Sequence, residues 1–87
     1  MKERTFVIKN PAGMHARPAT KLVTLANHFK ADVFIRYEDH QVNMKSVMGV
    51  LSLGIHGGST ITVRADGDDE EEALDAIEDL LRDFNMP

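Results

Sequence analysis

Cysteine is absent from this 87-residue chain. Without thiols, a disulfide framework, thiol catalysis and thiolate metal sites are all excluded, and the composition suits a reducing compartment. Long apolar runs are missing too. Met1-Lys2-Glu3-Arg4 is followed by too few apolar residues for a signal peptide, and no stretch approaches membrane-spanning length. A cytoplasmic protein without membrane insertion is expected. Aromatics are few, with four Phe and one Tyr. Binding nucleic acid by base stacking needs aromatics on an open sheet face, whereas Phe6 and Tyr37 fall at core-facing strand positions. His28, His40 and His56 lack the i, i+4 pairing of metal ligands. There is no Ser-His-Asp constellation and no Gly-rich P-loop. Neither a metal nor a cofactor is expected.

What is present suffices for one small domain spanning residues 1–87, with 43% apolar residues and no room for a second core. The net charge of −4 conceals a polarity. Residues 1–65 hold nine Lys/Arg against four Asp/Glu, whereas residues 66–87 hold one Arg against ten Asp/Glu. The basic part can steer an acidic or phosphorylated partner. The acidic run, Asp68 to Glu72, reads as the solvated start of a helix, because carboxylates favour the positive end of the helix dipole.

Hydrophobic periodicity orders the elements. Residues 5–9 predict a strand with Phe6 and Ile8 on one face. Ala16 to about His28 predicts a helix, with Ala19, Leu22, Val23, Ala26 and Phe29 at helical spacing. Ala31 to Tyr37 alternates with Val33, Ile35 and Tyr37 inward, Glu38-Asp39-His40 forms a hairpin tip, and Gln41 to Met44 returns. Ser46 opens a short helix from Val47 to about Leu53, closed by Gly54, which are common start and stop residues. Thr60 to Ala65 is the clearest alternating strand, and Ala73, Ile77, Leu80, Leu81 and Phe84 stripe the last helix. The order β-α-β-β-α-β-α predicts an α+β fold, an open-faced sandwich of a four-stranded antiparallel sheet with three helices on one face.

The segment Gly13-Met14-His15-Ala16-Arg17-Pro18-Ala19-Thr20 concentrates the chemistry. Pro18 fits the first turn of a helix, where its missing N–H has no partner to lose. His15 then stands at or beside the N-cap, next to unpaired backbone donors and the positive end of the dipole. Such a place holds anions, phosphate above all. Arg17 adds a cationic fork suited to phosphate oxygens, and His15 adds a nitrogen nucleophile.

The same segment resembles the active-site motif of the HPr family, the histidine-containing phosphocarriers of the bacterial phosphoenolpyruvate:sugar phosphotransferase system. Val42-Asn43-Met44-Lys45-Ser46-Val47-Met48-Gly49-Val50-Leu51-Ser52-Leu53-Gly54 resembles the family's second motif, around its regulatory serine. The resemblance spans essentially the whole chain and favours the Gram-positive, Bacillus-like type. It implies a carrier, not an enzyme in its own right. His15 would accept a phosphoryl group on Nδ1 from enzyme I, itself charged by phosphoenolpyruvate, with Arg17 around it. The group would then pass to sugar-specific enzyme IIA domains. The resemblance also implies phosphorylation of Ser46 by HPr kinase/phosphorylase and a corepressor role with the regulator CcpA. Val47, Met48 and Leu51 would form an apolar patch beside His15 for docking partners, with Thr20 a further candidate. A monomer is the default for so small a carrier. The alternative is a regulatory-only, Crh-like protein acting through Ser46, but Crh lacks the histidine present here.

Overall fold

The computed structural model describes residues 1–86. Its elements are β1 (Lys2–Val7), α1 (Ala16–Ala26), β2 (Asp32–Tyr37), β3 (His40–Asn43), α2 (Val47–Ser52), β4 (Thr60–Asp66) and α3 (Glu70–Asn85). The sheet runs β1-β4-β2-β3, and every neighbouring pair is antiparallel. β4 is thus inserted between β1 and β2, and the three helices cover one face of the sheet.

Period-two alternation decides which face is covered. Val33, Ile35, Ile61, Val63 and Ala65 point inward and are buried. They meet Leu22, Val23 and Ala26 of α1, Val50 of α2 and Ala73, Leu74, Ile77 and Leu81 of α3 in one core. Each fully buried Leu or Ile stabilises the fold by about 1.5–3 kcal/mol relative to exposure.

Several expectations shift. The first strand begins at Lys2 and ends at Val7, with Ile8 buried just beyond it. Its early charged residues are compatible with a strand because they find partners. Lys2 reaches Glu71 at 3.0 Å, and Arg4 reaches Asp75 at 2.8 Å and Glu78 at 3.2 Å. Hydrogen bonding to Asp75 raises the pKa of Arg4 further. The hairpin tip is the pair Glu38-Asp39, with Glu38 at φ 54°, so His40 already pairs with Tyr37. Met44 leaves the strand and is fully buried. In α3, Leu74 joins the buried stripe, while Leu80 and Phe84 are half-buried. Phe34, between inward Val33 and Ile35, lies on the open face beside Arg64 and Asn43. One aromatic does not make a stacking platform.

Asp69 ties the helical layer together. It is the N-cap of α3, yet its carboxylate accepts the N–H groups of Lys30 and Ala31, at 2.9 and 2.8 Å. Those bonds, the one from Lys30 foremost, hold its pKa below the usual carboxylate value. Glu70 is likewise depressed, first by the N-terminal amine at 2.9 Å and then by the Gly67 N–H.

Candidate functional site

His15 is the N-cap of α1, in extended backbone with φ −90° and ψ −173°. Its carbonyl accepts the first helical bond, from Ala19 N–H at 3.1 Å, and its own N–H donates to Gly13 at 3.2 Å. The imidazole makes no capping bond and is exposed. Ala16 and Arg17 have N–H groups ahead of the first helical bond, and Pro18 has none. Two backbone donors therefore stand at the positive end of the dipole, beside the imidazole.

Arg17 is exposed in that same first turn, which contains no acidic residue. Among the described residues it enters no ion pair. Its guanidinium is therefore available to an incoming anion. Thr20 is exposed one turn further, with its hydroxyl donating back to Ala16 O at 2.8 Å. What Thr20 offers a partner is a methyl group and an acceptor oxygen.

The loop entering α1 is braced by distant residues that periodicity does not reveal. Met14 N–H donates to Ile55 O at 3.0 Å. Gly13 has φ +68°, and a Cβ there would collide with Ile55 O and come within 3.0 Å of the His56 Cα. A Cβ on Gly57 would approach Asn10 O to 2.5 Å. Asn10 closes the turn, accepting Gly13 N–H on its carbonyl at 3.0 Å and Ala12 N–H on its side chain at 2.9 Å. From the far side, Asn85 of α3 accepts Lys9 N–H at 2.8 Å and donates to Val7 O at 2.9 Å. The only sequence signal for these contacts is the pair of glycines, Gly13 and Gly57.

Ser46 is the N-cap of α2 and exposed, with Oγ accepting Gly49 N–H at 3.1 Å. Two tethers fix how α2 lies on α1. Met14 joins the start of α1 to Ile55, just past α2, while Asn27 donates to Lys45 O at 3.3 Å, just before α2. The helices are therefore antiparallel neighbours, with His15 and Ser46 at opposite ends of the pair. The 11 residues of α1 that lie between these ends span about 16 Å along the helix axis, at a rise of about 1.5 Å per residue.

The expected patch on α2 is uneven. Met48 is 77% exposed. Val47 and Leu51 are half-buried against the core and flank it. Val50 is the buried anchor of the helix. Among the described residues no group of three or more His, Cys, Asp or Glu is placed to hold a metal ion. No helix there is long and apolar enough to cross a membrane.

A family model described as the PTS HPr component phosphorylation site matches residues 2–83. The chain belongs to the HPr family. Among solved structures, HPr-C-His from Thermoanaerobacter tengcongensis is 43% identical over 100% of this chain and 99% of its own, with a TM-score of 0.94. The phosphocarrier protein HPr of Bacillus anthracis is 42% identical over 91% of this chain and 94% of its own, at 0.85. Crh of Bacillus subtilis, a swapped, intertwined dimer, is 34% identical over 100% of both chains, at 0.76. The open-faced sandwich is thus the HPr fold, and the HPr phosphocarriers are the proteins that this chain resembles.

Proposed function

We propose that this HPr-family chain accepts a phosphoryl group on His15 from phosphoenolpyruvate-charged enzyme I and donates it to enzyme IIA domains. The observation that carries the reading is the exposed imidazole at the N-cap of α1, with Arg17 and two backbone N–H donors in the same first turn. Nδ1 of His15 attacks phosphorus as the bond between phosphorus and the charged donor breaks, and delivery to the next acceptor reverses the event. Exposure keeps the contacts few, so the group is held without being trapped. The carrier would work in the cytoplasm as a monomer.

Ser46 is the proposed regulatory site, modified by HPr kinase/phosphorylase and read by CcpA. Its Oγ already caps α2, so a phosphate there meets a helix N-terminus, where negative charge is tolerated. The helix stays folded and the surface changes sign. Thr20, Val47, Met48 and Leu51 make up the proposed docking surface.

Mass spectrometry after incubation with enzyme I, phosphoenolpyruvate and Mg²⁺ tests the carrier reading. One acid-labile phosphoryl group on the native protein and none on His15→Ala is the expected result. No transfer from a competent enzyme I overturns it and leaves Ser46 as the working site, as in a Crh-like regulator.

A further inference from the structure

We propose that Met48 is a site of reversible oxidation by hydroperoxides, and that its sulfoxide switches off partner docking at α2. The inference rests on the carrier reading above and adds a mode of control to it.

Exposure separates the five methionines into two groups. Met14 is 5% exposed and Met44 fully buried, so their thioethers are shielded by the core. Met48, at 77%, is more open than Met1 at 66% or Met86 at 62%, and it alone of the exposed three stands on the proposed docking surface. Oxidation of methionine follows exposure. In the reaction, a lone pair on Met48 Sδ attacks one peroxide oxygen and the O–O bond breaks. The S–O bond forms, the leaving oxygen takes a proton, and water or an alcohol departs. Sulfur loses two electrons and the peroxide gains them.

The product changes docking and leaves the fold alone. α2 is anchored by Val50, with Val47 and Leu51 leaning on the core, whereas Met48 projects from the first turn into solvent. A sulfoxide there collides with nothing in the free protein. Once a partner covers the patch, its oxygen becomes a strong acceptor buried among apolar groups. An unpaired buried acceptor weakens association, and a rigid polar side chain removes the adaptability that thioethers give such surfaces.

The test treats the protein with hydrogen peroxide to partial conversion and maps the sulfoxides by peptide mass spectrometry. Met48 is expected to oxidise readily, and Met14 and Met44 to resist. Enzyme I-dependent phosphorylation is then measured before and after. The expected result is a KM for the carrier raised roughly tenfold or more, with the melting temperature unchanged. Labelling of His15 by phosphoramidate, which needs no protein donor, should be unaffected. Methionine sulfoxide reductase with dithiothreitol should restore the original KM. Met48→Leu, compared with itself before and after peroxide, should show no change although Met1 and Met86 still oxidise. Protection of Met48, an unchanged KM after its oxidation, or an equal loss in Met48→Leu overturns this inference alone. Absence of transfer to the untreated protein overturns the carrier reading and this inference together.

Discussion

Gly13 lies so close against the carbonyl of Ile55 that no side chain fits between them. That contact, with the neighbouring bond from Met14 to Ile55, makes the loop before His15 and the loop after α2 one structural unit. Gly13→Ala meets two obstacles, the φ of +68° and the collision itself. It should cost about 2 kcal/mol or more and displace the start of α1. Denaturant unfolding should show the stability loss, and phosphotransfer to His15 should slow even in the folded fraction.

Among the described residues Arg17 has no ion-pair or side-chain hydrogen-bond partner to lose. Arg17→Ala should leave the melting temperature within about a degree, yet lower kcat/KM for transfer to and from His15. A charge-assisted contact to phosphate implies a reduction of roughly 10- to 100-fold. Unchanged kinetics with both partners would remove Arg17 from the site.

Ser46 offers a stability contrast independent of any kinase. Ser46→Ala removes the bond from Gly49 N–H and should cost about 1 kcal/mol. Ser46→Asp retains an N-cap acceptor and adds charge at the favourable end of the dipole, so it should stay within a few tenths of native. Paired urea titrations decide the matter. A larger loss for Asp than for Ala would show that α2 does not tolerate negative charge at its start.

Acid sensitivity should centre on the start of α3. Asp69 and Glu70 both have depressed folded-state pKa values. Their contribution is therefore fully present above the unfolded carboxylate values near 4. It is lost as pH falls through the lower folded values. Asp69→Asn should lower the melting temperature at pH 7 by several degrees and flatten the melting curve's pH dependence below about pH 4. A variant with an unchanged acid profile would show that other carboxylates govern acid unfolding.

The sequence was most legible where the information is local. Alternation in β4, Ser46 and Gly54 around α2, and the stripe along α1 each lie within one short window. The His15 cluster was legible for the same reason, since His15, Arg17 and Pro18 share a single turn. What escaped depends on residues far apart in the chain. The charges of Lys2 and Arg4 concealed a strand because their partners lie in α3. Asn85 and Asp69 gave no sign that their side chains would bind Val7, Lys9, Lys30 and Ala31. Phe34 is the local exception, since alternation alone sends it to the open face from between Val33 and Ile35.

The antiparallel pairing of α1 and α2 bears on how two modifications in one small chain interact. The length of α1 alone, about 16 Å, is roughly twice the Debye length of about 8 Å at physiological ionic strength. A phosphate at either proposed site is therefore largely screened from the other through solvent. A standard interface covers about 800 Å² per partner, a footprint roughly 30 Å across and wide enough to take in both ends. Cross-talk between His15 and Ser46 would then reside in the partner's reach, with each docking protein sensing both ends of the helix pair at once.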